Sequence, residues 1–111
     1  MSAEIIPLPA ATVTLVRDSA RGPEVLMMQR NLKSAFVPGA HVFPGGALDA
    51  EDDAPEVQAL CRGMNDAAAS AALGLESGGL AYWAAAIRES FEEAGLLLAY
   101  AGTPEIGRAH V

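Results

Sequence analysis

Cysteine is almost missing from this chain: Cys61 is the only one among 111 residues. A lone thiol excludes an internal disulfide and fits a reducing compartment. With no helper residue beside it, Cys61 reads as a buried structural thiol and not a nucleophile. Basic residues are also scarce, 7 Lys and Arg against 14 Asp and Glu, for a net charge of −7. That balance excludes non-specific grip on DNA or RNA, which depends on cations meeting phosphates. A small polyphosphate would be repelled as well, unless a bound cation intervened. No uninterrupted apolar run approaches membrane-spanning length. The opening MSAEIIPLPA lacks the basic and then apolar pattern of a secretion signal. The expectation is a cytoplasmic protein with no membrane partner and no nucleic-acid polymer as partner.

What is present is apolar: 51% hydrophobic residues, enough for the core of one small domain. ATVTLVRD, residues 11–18, is β-branched and partly alternating, which predicts a strand. SARGPE has turn composition, and VLMMQR, residues 25–30, predicts a second strand paired to the first as a hairpin. NLKSAFVPGA is loop-like. A short apolar piece from His41 to Phe43 then runs into Pro44, Gly45 and Gly46. Asp53 and Glu56 bracket Ala54 and Pro55 in an arrangement suited to a helix N-terminus. Alanine-rich helix follows as far as Gly74, and residues 75–79 form a break. Leu80 to Ala94 predicts the longest helix, stopped by Gly95. LLLAY, residues 96–100, predicts a buried strand. Strands followed by helices and a further strand give an α+β or α/β mixture.

That last helix holds Glu89, Glu92 and Glu93 within five residues. At 100° per residue, Leu80, Ala84, Ile87 and Phe91 form one apolar stripe, with the glutamates on the opposite side. Like charges at such spacing cost roughly 0.2–0.5 kcal/mol per pair. The helix dipole adds roughly 0.3–1 kcal/mol for each acid in the last turns. Only Arg88 is at hand to offset them. A solvated acidic face and a cation site both remain open on this segment alone. A hard ion such as Mg²⁺ would reverse the repulsion. Upstream, the paired glycines of HVFPGGALD permit a sharp turn or a close approach to a ligand.

Phe-Pro-Gly-Gly, followed by Arg88, Glu89, Glu92, Glu93, Gly95 and Leu96, resembles the signature of the Nudix hydrolases, G-x5-E-x7-R-E-U-x-E-E-x-G-U with U aliphatic. Three departures stand out. Asp52 occupies the first glutamate position. There are 35 residues between Asp52 and Arg88 in place of seven, and Ser90 takes an aliphatic position. GAHVFPGGALD and AAIRESFEEAGLLL resemble more narrowly the split signature of the peroxisomal coenzyme A diphosphatase-like branch. The resemblance implies a Nudix-like α/β/α sandwich, with the signature helix packed on a mixed sheet. Residues 1–105 would be the N-terminal part of that domain, with a helical insertion at about 53–79. The tail IGRAHV resembles a translated sequencing-library adapter, so residues 106–111 are expected to be non-native.

The implied chemistry is hydrolysis of a diphosphate linkage in a nucleoside diphosphate derivative, coenzyme A or acyl-coenzyme A first, nucleotide sugars and ADP-ribose after. Mg²⁺, or Mn²⁺, would be held by Glu92 and Glu93, with Glu89 as a further ligand or the base. The Gly45 carbonyl would complete the shell, and Arg88 would orient the glutamates. Gly46 and Arg30 would touch substrate. Asp52, Lys33, His41, Tyr82 and Trp83 are weaker candidates, each as well explained by surface or packing roles. The partner is a small diphosphate; a homodimer is allowed. The rival class is a Nudix module that binds a nucleotide without cleaving it. Nudix domains normally continue beyond the signature strand. We therefore predict that the 111-residue chain alone is marginally stable, or aggregates through unpaired strand edges. A cooperative melt at high temperature would refute this.

Overall fold

The computed structural model describes residues 6–29 and 39–100, together with the strand Ala109–His110. Strands β1 (Ala10–Thr12), β2 (Val16–Arg17), β3 (Glu24–Val25), β4 (Met28–Gln29), β5 (His41–Val42) and β6 (Gly45–Ala47) come first. A 3-10 turn (Ala50–Asp53) and helices α1 (Pro55–Leu60), α2 (Asp66–Leu73) and α3 (Gly79–Ala94) follow, then β7 (Ala99–Tyr100) and β8 (Ala109–His110). The class is α+β. The described residues fall into two compact units: 6–11 with 46–85, and 12–29 and 39–45 with 86–100 and β8. No helix among the described residues is long and apolar enough to cross a membrane.

The expected hairpin forms by local chemistry. Antiparallel β2 and β3 pair Val16 with Val25 and Arg17 with Glu24. Their side chains form an exposed ion pair at 2.9 Å, a contact worth about 0–1 kcal/mol. Ser19 and Gly22 exchange backbone hydrogen bonds across the turn, and Ser19 Oγ donates to the Gly22 carbonyl at 2.7 Å. Gly22 sits at φ 104, which only glycine adopts without strain. Each long strand expected from the sequence is divided in two. Residues 13–15 separate β1 from β2, and β4 changes partner to β5, pairing Met28 with Val42. β1 pairs with β6. The segment at 96–100 is a strand only over Ala99–Tyr100, and it is not buried: Leu97 and Tyr100 are exposed. The end of α3 lies just before it. Gly95, at φ 71, donates to the Phe91 carbonyl, and the Leu96 N–H points back to Ser90.

Helix starts also depart from expectation. Pro55 takes the first position of α1, where its missing N–H costs nothing, and Ala54 is the cap. The anticipated pairing of Asp53 with Glu56 is replaced upstream, where Asp49 N–H donates to Asp52 Oδ2 at 2.8 Å. α2 is capped by Asn65, whose Oδ1 accepts from Ala68 N–H, and it ends at Gly74 with Leu75 N–H donating to Ser70 C=O.

α3 lacks a local cap and takes one from α2. Asp66 accepts from the N–H of Gly78 at 3.0 Å and of Leu80 at 3.1 Å. Ser70 Oγ accepts from Gly79 N–H at 2.8 Å. Glycine is required at 79, because a Cβ there would lie 2.5 Å from Ser70 Cα and closer still to its nitrogen. This contact explains the small-residue core: Ala69, Ser70, Leu80, Ala81, Ala84 and Ala85 are buried. The expected apolar stripe is only half correct. Leu80 and Ala84 are buried, Ile87 is half-buried, and Phe91 is 55% exposed. The buried side turns along the helix, and in the second half it is Ser90 that is fully enclosed.

The Gly78 N–H, and next that of Leu80, hold the Asp66 carboxyl below its ordinary value. A depressed carboxylate stabilises the fold above its unfolded-state pKa, and that contribution disappears as pH falls through the folded value. Asp66→Asn is therefore expected to lower the melting midpoint at neutral pH. The gap to wild type should close on acidification from about pH 4 downward. Melts across that range check this; a constant gap would contradict it.

Candidate active site

The acidic end of α3 and Gly45, the first residue of β6, supply the candidate site, both within one compact unit. Glu89, Glu92 and Glu93 stand three and four residues apart, hence as neighbours on the helix surface. The Arg88 guanidinium lies among them. Its Nη1 donates to Glu89 Oε1 at 3.0 Å and to Glu92 Oε2 at 3.2 Å. The two pairs differ in environment: the Glu89 side chain is 14% exposed and that of Glu92 55%. Glu89 is thus largely enclosed, whereas Glu92 faces solvent. Glu93 turns elsewhere, and its Oε1 accepts the Gly45 N–H at 2.8 Å.

The structure therefore brings Gly45 to Glu93, through its N–H where the resemblance implied its carbonyl. The sequence held a weak signal for this donor. Pro44, which precedes it, has no N–H and gives its carbonyl to Val13 N–H at 2.9 Å, leaving Gly45 to supply the amide.

Gly46 follows within β6 and is half-buried. Asp52 is buried and accepts the Asp49 N–H, capping the 3-10 turn. His41 is exposed and pairs with Gln29 across β4 and β5. Tyr82 is half-buried, and Trp83, expected as a core or insertion contact, is 44% exposed. Arg30 and Lys33 lie outside the described residues. Cys61 is half-buried, its thiol donating to the Val57 carbonyl.

Three carboxylates are the right kind of donor for a hard divalent cation. One guanidinium among them leaves two negative charges uncompensated within the cluster. Their oxygens are not gathered on one point, however: among the described residues no group of three acidic, His or Cys side chains is arranged to hold a metal. Glu89 and Glu92 face Arg88, and Glu93 faces Gly45. The fit is in donor chemistry and not in present geometry.

Ser90, between Glu89 and Glu92, stands at the aliphatic position of the signature. It is fully buried, and its Oγ donates to the Ala86 carbonyl at 2.8 Å, one turn back. The bond satisfies the hydroxyl inside the helix itself.

A helix-borne Arg-Glu pair, a following Glu-Glu pair and a glycine bonded to the last glutamate are the pieces of the Nudix signature that the structure brings together. The comparisons agree. The chain is 36% identical over 105 residues to the acyl-coenzyme A diphosphatase NUDT19 of Gallus gallus, covering 76% of this chain. It is 33% identical over 102 residues to the protein of the same name in Homo sapiens, covering 71% of this chain. The chain is thus related to the Nudix hydrolases of the coenzyme A diphosphatase type. It spans little more than a quarter of those relatives, 28% and 27% of their lengths. No protein-family model and no solved structure matches it.

Restoring the family's aliphatic residue should harm this chain. Ser90→Leu forces added methylenes into an enclosed position, at a cost of roughly 1–3 kcal/mol. Ser90→Ala loses one hydrogen bond and should cost about 1 kcal/mol or less. Denaturant titrations of both variants distinguish the two sizes.

Proposed function

We propose that the protein is a Nudix hydrolase that cleaves the diphosphate linkage of a nucleoside diphosphate derivative, with acyl-coenzyme A or coenzyme A as substrate. The single observation that carries this is the helix cluster in which Arg88 holds Glu89 and Glu92 while Glu93 is bonded to Gly45. The names of both relatives supply the substrate class. The α+β elements belong, in this reading, to an α/β/α sandwich with a mixed sheet, into which residues 53–79 are inserted, in a cytoplasmic protein.

Hydrolysis forms a bond from water oxygen to one phosphorus and breaks the bridging P–O bond, yielding two phosphate monoesters. Glu92 and Glu93 would hold Mg²⁺ or Mn²⁺, joined by Glu89 and by a backbone oxygen of the glycine strand. A divalent ion there neutralises phosphate oxygens and acidifies water. Glu89 is a further ligand or the base in this reading, supported by its enclosure and by the Arg88 bond to one of its oxygens. Arg88 orients Glu89 through a charge-assisted hydrogen bond. Carboxylates on a regular helix keep their spacing better than loop residues do. Gly46 and Arg30 are assigned to the substrate, Gly46 because a residue without a side chain permits close approach of the diphosphate.

The test is a diphosphate panel on the full-length protein, with and without Mg²⁺, in wild type and Glu93→Gln. The amide keeps the side chain's shape and removes its charge. Turnover should fall at least 100-fold in the variant, roughly the scale of a lost catalytic electrostatic contact. Turnover that survives both metal removal and the substitution would overturn the reading, and ligand binding without turnover in wild type would leave a nucleotide-binding module.

A further inference from the structure

We infer that the pocket beside the β2–β3 hairpin receives the acyl chain of an acyl-coenzyme A substrate, and that chain length thereby sets specificity. The inference rests on the proposed hydrolysis of acyl-coenzyme A and asks nothing of a metal ion.

The pocket encloses about 670 Å³, within the roughly 300–1,000 Å³ of small-molecule sites. Leu15 and Val16 line it from one arm of the hairpin, Val25, Leu26 and Met27 from the other, and Leu96 from just past the end of α3. The arms are held together by Val16 opposite Val25 and by the Leu26 N–H on the Leu15 carbonyl at 2.9 Å. Yet Val16 is 57% exposed and Val25 45%. Apolar side chains left in water on a paired hairpin carry a cost that a bound apolar group removes.

Charge decides which group that is. Arg17 and Glu24 complete the lining, and they bond each other at 2.9 Å. The walls thus carry no net charge. A phosphate there would give up water for apolar walls and a guanidinium already engaged. A nucleobase would bring hydrogen-bonding edges, and the only polar side chains lining the pocket are that same pair. A neutral aliphatic chain has neither requirement, and it gains with each methylene removed from water.

Leu96 joins the pocket to the candidate site. It stands three residues beyond Glu93, so their Cα atoms lie no more than about 11 Å apart. Both belong to one compact unit. In acyl-coenzyme A the pantetheine arm connects the diphosphate to the acyl group. With the diphosphate at the glutamates, that flexible arm leads the acyl chain into the pocket next to Leu96. The two ends of one substrate are received by two differently lined parts of the same unit.

The test is a series of free, acetyl-, hexanoyl- and decanoyl-coenzyme A on the full-length protein. In wild type, KM should fall about two- to fourfold for each added methylene until the pocket is full. Val16→Thr combined with Val25→Thr keeps the β-branching while placing hydroxyls in the walls. Its KM ratio of decanoyl- to free coenzyme A should rise about tenfold over the wild-type ratio. A flat wild-type series, or an unchanged ratio in the variant, would overturn the inference. A second measurement is independent of turnover. Decanoyl-pantetheine lacks the diphosphate, and it should shift the carbon-13 methyl signals of Val16, Val25 and Leu96 but not those of Leu80, which is buried elsewhere. Such shifts in a protein that cleaves no coenzyme A ester would keep the pocket and sink the hydrolase reading beneath it. No shift at the ligand's solubility limit would overturn the pocket. So would Val16 and Val25 methyls already screened from a soluble paramagnetic probe without ligand, because a further part of the chain or a second copy then fills the groove.

Discussion

The structure depends on keeping α3 helical although it crowds three acids together, two of them where the helix dipole is negative. Glu92 and Glu93 sit in its last turns, and among the described residues no basic side chain stands there to answer the dipole. The offsets come from elsewhere. Arg88 reaches forward one turn to Glu92, and the glycine strand lends an N–H to Glu93. At the opposite end, Asp66 places a carboxylate on the N–H groups of Gly78 and Leu80, where the dipole favours negative charge. The same chemistry that is unfavourable at one terminus is favourable at the other.

Borrowing a cap from another helix has a packing consequence. Asp66 and Ser70 reach the start of α3 only because the backbones approach closely, and Gly79 is the residue that lets them. The surrounding core is accordingly built of Ala69, Ala81, Ala84 and Ala85. Small side chains bury little apolar area each, so such a core gains less from the hydrophobic effect than one of leucines. Directed hydrogen bonds between α2 and α3 then carry a larger share. The alanine richness before Gly74, which in the sequence reads merely as helix propensity, is in the fold a condition of close approach.

What was legible in the sequence was local. Ser19 to Gly22 make their turn with their own side chain and backbone, and Gly95 ends α3 at positive φ by its own conformational freedom. The signature glutamates were legible because their spacing is fixed by the helix that holds them. What escaped was set by distant partners. Asp66 caps residues 12 and 14 positions away, and no pattern within α3 announces it. Helical periodicity placed Phe91 with Leu80 and put Glu89 on the far side. Periodicity gives only angular relations along one cylinder, and it cannot say which side is covered in each half. In the structure Glu89 is enclosed and Phe91 exposed.

The charge inventory bears directly on the proposed reaction. A diphosphate brings negative charge to a chain already at −7, and toward three carboxylates in particular. Arg88 cannot supply the attraction, since its single charge is already shared by Glu89 and Glu92. Arg17 is paired with Glu24 on the hairpin. A substrate of that kind approaches such a cluster only if something more positive than a guanidinium stands between them. A divalent ion has the charge, accepts oxygen from carboxylate and phosphate alike, and binds most strongly where acids are crowded. In the proposed function, the crowding of Glu89, Glu92 and Glu93, unfavourable for the helix by itself, would thereby make an anionic substrate approachable.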